Sequence, residues 1–486
     1  MNYKMIGHTL GIILMFEAGF LMLPALTGLI YSEWAVSLAF VICGAICLLT
    51  GFGLSFKKPQ NTALYSRDGL VIVSLSWIVI SLFGALPFVF TGVIPNYLDA
   101  LFETVSGFST TGASILSDVE ALPHGVNIWR CFTHWVGGMG VLVFVMAILP
   151  SSGAHSMHIM RAESPGPSVS KLVPRVRKTA LILYLIYFAF TLLEFIFLLP
   201  SLGVFDAACT AFATAGTGGF GVYNDSLASF SPYVKIVVTA FLFIFSINFN
   251  SYYLILKLKF KDAFNSEVKA FLLIVLIAIS AITLNVYLSG AVGGETLGEA
   301  LLNSVFTVAS TVSTAGFSVV NFDLWPTISK TLIVCLMFIG ACAGSTGGGF
   351  KVSRINILVK GMSRELSTVI RPNQIKKITL DRRPVEHEVV RSVNAYLVTY
   401  VLIFASSFIL LSFDGYANGY NDMVTNFTAV TSAINNIGPG LEAVGPTQSF
   451  AFFSPLSKIV LIFDMLLGRL ELFPMLLLFS PSTWKK

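Results

Sequence analysis

The chain has 486 residues, of which 55% are hydrophobic and only 11% are charged, and its mean hydropathy is +0.81. This composition excludes an ordinary soluble domain and is typical of a protein that crosses a membrane several times. The formal net charge is +5. For a membrane protein of this kind we expect no nucleic-acid partner.

Long apolar runs recur along the whole chain. A bilayer core of about 30 Å requires roughly 20 apolar residues in one helix. The first run carries Glu17, is too long for a signal peptide and leads directly into a second run, so we interpret it as a membrane helix. The sequence thus predicts an all-α polytopic membrane protein with ten candidate spans, at 9–30, 34–55, 70–92, 127–149, 179–200, 233–256, 267–289, 329–349, 392–412 and 457–480.

The basic residues predict the orientation of these spans, because loops rich in Lys and Arg stay on the cytoplasmic side. With both termini in the cytoplasm of a prokaryote, 25 of the 30 basic residues lie in inner segments, at 1–8, 56–69, 150–178, 257–269, 350–391 and 485–486. The outer segments carry only Arg130, Lys235, Lys330 and Lys458, against thirteen acidic residues. These acids either concentrate cations at an outer mouth or merely solvate the outer loops.

Four outer segments align without gaps, and each ends in glycine: 101–112, 208–219, 305–316 and 427–438. Each lies between two apolar runs. An acidic residue follows each glycine after four to seven positions, and one of the four outer basic residues follows after 14 to 20. This repetition predicts four helix–loop–helix repeats.

The length of these segments predicts how they enter the membrane. About ten helical residues reach only halfway across a bilayer, and non-helical backbone at that depth must line a cavity or be buried in protein. The final glycine allows positive φ values, so consecutive carbonyl groups can point the same way. Four such strands would replace the hydration shell of a potassium ion. We call the last three residues of the segments the loop triplets: Thr110, Thr111, Gly112; Thr217, Gly218, Gly219; Thr314, Ala315, Gly316; and Asn436, Ile437, Gly438.

The loop sequences are TTGA at 110–113, TGGF at 217–220, TAGF at 314–317 and NIGP at 436–439. They resemble those of TrkH/KtrB-type subunits in the Trk/Ktr/HKT potassium transporter superfamily. The resemblance covers 65–486, and the extra helices at 9–55 favour the TrkH branch. It implies two N-terminal helices plus four helix–pore loop–helix repeats in a pseudo-fourfold arrangement around one pore, divided as 1–64, 65–150, 175–260, 265–372 and 388–486.

By the same resemblance the loop triplets are a potassium-binding selectivity filter. A serine in place of the first such glycine accompanies sodium preference in some plant members of the superfamily. Gly112 therefore supports potassium as the transported ion.

The stretch 329–361 is interrupted by glycines and, at roughly 50 Å if fully helical, is too long for one unbroken span. Glycine weakens helix interiors, so we interpret 340–350, here called the glycine-rich segment, as an intramembrane loop rather than as a small-residue helix contact. The resemblance implies that it forms a gate below the filter, with Gly344, Ser345, Thr346, Gly347, Gly348 and Gly349.

Arg469 lies inside the last apolar run. A charge near the bilayer centre costs about 2.5–3.5 kcal/mol on insertion scales, so it normally faces a cavity or a partner. Asp464 and Glu471 are both candidate partners, and spacing does not choose between them. The resemblance implies that Arg469 is part of the gate, as a positive barrier projecting into the pore.

The sequence contains no catalytic constellation, and we expect no enzyme activity. Gly216, Gly218 and Gly221 match a dinucleotide-binding pattern, but no strand precedes them. The resemblance implies that any nucleotide binds a cytosolic TrkA-type regulatory ring, and that the chain forms a homodimer. The basic loops 150–178 and 350–391 are candidate docking surfaces for that ring, or simply positive-inside signals.

A second function class stays open, namely a symporter that couples potassium to protons or sodium. Its broken helices would also lie near the bilayer midplane. Glu17 and Glu194, two acidic residues inside apolar runs, are the candidate proton sites for such coupling.

Overall fold

The structure, a computed structural model, describes residues 1–57, 59, 65–140, 176–290, 296–372, 377–381, 383–420 and 422–484. In this part of the chain the fold is helical apart from one two-stranded hairpin, β1 (Thr379–Leu380) with β2 (Arg383–Pro384). The N-terminal region contains α1 (Tyr3–Phe20), α2 (Met22–Ile30) and α3 (Trp34–Ser55). The first repeat follows with α4 (Ser66–Gly84), α5 (Leu86–Phe90), α6 (Tyr97–Phe108) and α7 (His124–Gly138).

The remaining repeats have the same plan. The second contains α8 (Val176–Gly216), α9 (Pro232–Ser246) and α10 (Phe249–Leu256), with α11 (Phe260–Ala263) as a connection. The third contains α12 (Ser266–Ser289), α13 (Leu297–Val312), α14 (Thr327–Met337) and α15 (Val352–Ile370). The fourth contains α16 (His387–Asn418), α17 (Met423–Asn435), α18 (Pro455–Arg469), α19 (Phe473–Phe479) and α20 (Pro481–Trp484). Three short 3₁₀ helices lie in the loops, at Phe322–Leu324, Glu442–Val444 and Phe450–Phe452.

Four half-helices lead to the loop triplets: α6, α13, α17 and the part of α8 after Gly203. The backbone of Gly203 leaves the helical region (φ +76°, ψ 175°), so α8 is two helices in sequence, the long one and a half-helix. At 1.5 Å per residue, the 12 residues of α6 extend about 18 Å. Polar caps start two of the others: the Thr296 hydroxyl caps α13 in a reciprocal box with Glu299, and Asp422 accepts from Thr425 N at 2.7 Å at the start of α17.

The described residues contain six helices that are long and apolar enough to cross a membrane, or seven if one bent pair counts as a span. Two of the ten predicted spans are therefore wrong as continuous helices, because each is broken within its apolar run. The run 233–256 bends by 91° between α9 and α10, where the Asn248 side chain accepts from Asn250 N and starts a new helix. The run 457–480 breaks between α18 and α19, where Glu471 and Leu472 have positive φ values. Hydropathy counts apolar residues and does not detect such breaks.

Two further runs are also interrupted in their second half. In the run 329–349, α14 ends at Met337 and the chain is not helical again until Val352, as its glycine content predicts. In the run 127–149, α7 ends at Gly138, and 141–149 lie outside the described residues. The helix that follows each loop triplet therefore stops or bends about halfway along its apolar run.

The N-terminal helices pack on the first repeat. A Cβ atom on Gly11 would lie 2.6 Å from the carbonyl oxygen of Gly51, so α1 and α3 touch along their backbones. The Phe40 ring on α3 meets the Trp129 ring on α7 edge to face at 6.3 Å. This contact buries both aromatic side chains and joins the pair of extra helices to the repeat that carries the first loop triplet.

Candidate functional site

All four half-helices end in the same backbone conformation. The first residue of each loop triplet is left-handed, with φ values of +58° at Thr110, +53° at Thr217, +61° at Thr314 and +55° at Asn436. The N–H group of the second residue then donates to the carbonyl five residues earlier, at 2.9, 2.9, 2.9 and 3.0 Å in repeats one to four. Left-handed φ values cost a non-glycine residue roughly 1–2 kcal/mol, so tertiary contacts must hold these three threonines and one asparagine in place.

The terminal glycines place the four loop triplets in one closed ring. A Cβ atom on Gly112 would lie 1.9 Å from the carbonyl oxygen of Gly218, the middle residue of the next triplet. The same relation repeats from Gly219 to Ala315 at 2.0 Å, from Gly316 to Ile437 at 1.9 Å and from Gly438 to Thr111 at 2.8 Å. Each triplet therefore contacts the next in the order one, two, three, four and back to one. Only glycine permits this close approach, because any side chain would overlap a neighbouring carbonyl.

A cavity of about 220 Å³ opens on one side of this ring, and all four terminal glycines, Gly112, Gly219, Gly316 and Gly438, line it. We call it the outer cavity because the sequence predicts that this side faces outward. Asp118 lies in the loop beside this cavity and accepts from the Asn224 side-chain amide at 2.9 Å. That hydrogen bond lowers the pKa of the Asp118 carboxyl, so the group stays ionised at neutral pH. The entrance to the ring thus carries fixed negative charge.

The glycine-rich segment lies against the other side of the ring, under the third and fourth triplets. Gly348 N donates to Thr314 Oγ1 at 2.6 Å. A Cβ atom on Gly347 would lie 2.8 Å from the carbonyl oxygen of Ser313, and one on Gly348 would lie 2.7 Å from that of Asn435. The segment therefore fits against the triplets through its backbone.

Arg469 joins three parts of this arrangement. One nitrogen of its guanidinium group, Nη1, donates to Thr110 Oγ1 at 3.2 Å and to the carbonyl of Thr346 at 2.9 Å. The other, Nη2, donates to the carbonyls of Gly137 and Gly138 at the end of α7. The predicted barrier residue thus contacts both the first loop triplet and the glycine-rich segment. Together with the glycine-rich segment it lines a cavity of about 70 Å³, here called the inner cavity because the sequence predicts that this side faces inward.

The two acids considered as partners of Arg469 have other contacts. Asp464 accepts from the Ser407 hydroxyl at 2.8 Å, and Glu471 forms an ion pair with Arg354 at the start of α15. Among the residues predicted from the sequence, the structure therefore brings together the loop triplets, the glycine-rich segment and Arg469, while these two carboxylates bind elsewhere.

The sequence did not reveal the contacts of three charged residues: two that hold the glycine-rich segment and one that lies just after it. Glu267 Oε1 accepts from Ala343 N at 2.7 Å and from Ser353 N at 3.1 Å, which ties the segment to the first turn of α15. The Lys351 ammonium group donates to the carbonyl of Gly347. Arg354 is the third, through its pair with Glu471. Charges at the borders of apolar runs were visible in the sequence, but the partners of Glu267 and Arg354 are 76 to 117 residues away. The partner of Lys351 is only four residues away, but it is a backbone carbonyl, which no side-chain pattern reveals.

Backbone carbonyls and threonine hydroxyls are the groups that this ring offers to a ligand. In the described ranges, no group of three or more His, Cys, Asp or Glu side chains is placed to hold a metal ion. Neutral oxygens arranged around one axis suit a weakly hydrated monovalent cation, which must bind and leave repeatedly.

Comparison with known proteins decides the family. The TrkH family model, described as "Cation transport protein", matches residues 36–486. The chain belongs to the TrkH family. Its TrkH relatives include the Trk system potassium uptake protein TrkH of Salmonella typhimurium, which is 36% identical with complete coverage of both chains. The Trk system potassium uptake protein TrkG of Escherichia coli K12 is 29% identical, with 100% of this chain and 99% of TrkG covered.

A solved structure agrees with this family assignment. The crystal structure of the potassium transporter TrkH from Vibrio parahaemolyticus matches with a TM-score of 0.88 and 31% identity, and it covers 100% of both chains. Together with the apolar helices, this match establishes an all-α polytopic membrane fold of the TrkH type.

Proposed function

We propose that this TrkH-family chain takes up potassium across the cytoplasmic membrane of a bacterium, through a channel-like pore whose selectivity filter is the ring of loop triplets. The closed ring of terminal glycines carries this proposal. It brings twelve residues from four distant parts of the chain around one axis, between an outer and an inner cavity. The names of the relatives as potassium uptake proteins support potassium as the ion.

The chemistry of the filter follows from its backbone. Carbonyl oxygens replace the water around an ion without adding a net charge, so the ion is bound weakly enough to leave. The four half-helices end at the ring, and their C-terminal ends carry partial negative charge that favours a cation. The ionised Asp118 outside the ring adds to the attraction.

We propose a gate on the inner side, formed by the glycine-rich segment and Arg469. The segment is held by Glu267 and lies against the third and fourth triplets. The guanidinium group of Arg469 contacts Thr110 and Thr346, so a positive charge lies directly below the ring. A cation leaving the ring meets this charge, and conduction requires that the segment and Arg469 move aside.

Regulation would come from outside the chain. We propose that a cytosolic TrkA-type ring binds the nucleotide and acts on a homodimer of this chain, with both termini in the cytoplasm. Most of one candidate docking loop, 150–178, lies outside the described residues. The other, 350–391, contains α15, whose first turn includes Arg354 and follows the glycine-rich segment directly. The repeat boundaries given by the sequence are part of the same proposal.

Potassium uptake coupled to protons or sodium, that is, symport, is the second candidate function. The observation in its favour is that Glu17 and Glu194 are almost fully buried, with exposed fractions of 1% and 0%. Buried carboxyl groups without a paired cation are proton-binding candidates in membrane proteins. Neither lies on the ring: Glu17 is near Gly84 at the end of α4, and Glu194 is near Thr214 in the half-helix part of α8.

Rubidium uptake into proteoliposomes tests both candidates. Purified protein is reconstituted with potassium inside, and uptake of radioactive rubidium is measured with and without an imposed proton gradient, using protein-free vesicles as the control. We expect uptake without a gradient, inhibited by external potassium much more than by external sodium. Uptake that requires the gradient would refute passive conduction and support symport. Equal inhibition by potassium and sodium would refute the assignment of the ring as a potassium-selective filter.

A further inference from the structure

His134 is a fully buried histidine on α7, and it contacts two repeats at once. Its Nδ1 atom lies 2.7 Å from the carbonyl oxygen of Gly107, in the half-helix of the first repeat. Its Nε2 atom lies 3.2 Å from the backbone nitrogen of Phe220, the residue directly after the second loop triplet. The helix of repeat one therefore reaches the triplet of repeat two through an imidazole ring.

The partners determine the form of this ring. A carbonyl oxygen can only accept, so Nδ1 must carry the hydrogen that is donated to Gly107. The Phe220 N–H group can only donate, so Nε2 must be the acceptor. His134 is thus a neutral imidazole protonated on Nδ1, and both of its nitrogens are used.

The hydrogen bond to Phe220 also determines the direction of a carbonyl in the ring. The N–H group of Phe220 and the C=O group of Gly219 belong to one planar trans peptide unit, in which they point in opposite directions. Because the N–H group points to His134, the Gly219 carbonyl points away from it. Gly219 and Phe220 also line the outer cavity, which lies on the path proposed for the ion.

Close packing leaves the second triplet little freedom to move away from the imidazole. A Cβ atom on Gly218 would lie 2.2 Å from His134 Nδ1, and one on Gly216 would lie 2.2 Å from the His134 carbonyl oxygen. The rings of His134 and Phe220 are 4.3 Å apart between centroids. The backbone of this triplet therefore packs directly against the imidazole ring.

The residues at the matching positions of the other three repeats do not form these contacts. His134 stands four positions after the outer basic residue Arg130, and the corresponding residues of the other repeats are Thr239, Val334 and Ile462. Thr239 donates its hydroxyl to the carbonyl of Lys235 in its own helix, and the two aliphatic side chains have no hydrogen-bonding group. Among these four matching positions, only the one in repeat one thus supports the triplet of the next repeat through an imidazole.

We propose that His134 is a positioning residue for ion selectivity: its neutral imidazole fixes the Gly219–Phe220 peptide, and with it the Gly219 carbonyl that an ion in the ring contacts. This inference rests on the proposed function of the ring. A carbonyl held at a fixed place discriminates between ions of different radius, whereas a carbonyl free to rotate adapts to either.

The first test compares three variants by the ratio of potassium to sodium inhibition of rubidium uptake. His134→Leu fills similar volume without hydrogen bonds, and we expect the ratio to fall about tenfold. In His134→Gln the amide group offers a donor nitrogen and an acceptor oxygen. We therefore expect its potassium-to-sodium inhibition ratio to stay within about twofold of that of the original protein. Thr239→Val, at the matching position of repeat two, is the control and is expected to leave the ratio unchanged.

A merely structural role would lower the amount of active protein and scale all uptake rates equally, without changing the ratio. An unchanged ratio in His134→Leu therefore overturns the positioning role, and so does an equal loss in His134→Gln. Absence of selective uptake by the original protein would instead overturn the proposed function itself, so the two failures are distinguishable.

A second measurement does not depend on how His134→Leu folds. The nitrogen chemical shifts of histidine-labelled protein distinguish the two neutral tautomers and the imidazolium ion, and the signal of His134 is the one absent from the spectrum of His134→Gln. We expect the neutral form with hydrogen on Nδ1, retained at neutral pH. The other tautomer or a charged ring would overturn the proposal, because neither can accept from Phe220 while donating to Gly107.

Discussion

Replacing Gly316 by alanine tests the ring of loop triplets most directly. Its backbone is left-handed, with φ at +74°, and the added Cβ atom would lie 1.9 Å from the carbonyl oxygen of Ile437. Gly92 provides a matched control, because its φ is +73° but nothing lies within 4 Å of an added Cβ atom. The two alanine variants therefore share the backbone strain and differ in the overlap with a neighbouring triplet.

The magnitude follows from this difference. The left-handed backbone costs alanine roughly 1–2 kcal/mol at either position. Real Cβ contacts stay above 3.0 Å, so at Gly316 the Ile437 carbonyl must retreat by about 3.0 − 1.9 = 1.1 Å. A polar contact with a charged group contributes about 1.5–3 kcal/mol, so displacing one carbonyl from the ion should weaken binding roughly 10- to 150-fold.

Rubidium uptake at several external concentrations measures this effect in proteoliposomes, with thermal unfolding of the same samples as a check on folding. We expect Gly92→Ala to retain uptake and Gly316→Ala to lose it, or to require at least about tenfold more rubidium. Equal uptake by the two variants, at equal folding, would refute the claim that the triplets form a tight ring around the ion.

The remaining predictions concern charge and the gate. Arg469→Ala should raise rubidium influx by up to about 30-fold, because a unit charge about 8 Å from an ion contributes ~2 kcal/mol at an effective dielectric constant of ~20; unaltered influx removes the barrier role. Glu103→Gln leaves Arg130 buried without its partner and should destabilise the protein by about 3–5 kcal/mol in chemical unfolding. Combining it with Arg130→Met should recover much of that loss, and no recovery would indicate that hydrogen bonds rather than charge matter. Glu267→Ala removes both hydrogen bonds that tie the glycine-rich segment to α15 and should raise basal influx several-fold. An unchanged rate argues against a gate there.

Local interactions explain why the sequence predicted the half-helices and their ends. Each half-helix terminates through hydrogen bonds between residues three to five positions apart, and the glycine that follows is visible in the sequence. The break at the glycine-rich segment was predictable for the same reason, since glycine acts on its own backbone. The apolar runs likewise identified a membrane protein, because burial in lipid requires a length and a composition that any window detects.

Tertiary structure decided what these elements contact. The bend after Ser246 and the left-handed turn at Glu471 and Leu472 occur inside apolar runs that hydropathy does not divide. The partners of Arg469 are two backbone carbonyls of α7, a hydroxyl and a carbonyl more than 100 residues away, rather than the nearby acids.

The sequence by itself determined that four loop triplets exist and that each ends in glycine, because that information lies within a dozen consecutive residues. Only the tertiary structure decided that Gly112 rests on Gly218, that Gly438 closes the ring on Thr111, and that His134 supports the neighbouring repeat. The physical reason is that these contacts join residues some 85 to 330 positions apart. Their geometry depends on how whole helices pack, and no local pattern encodes it.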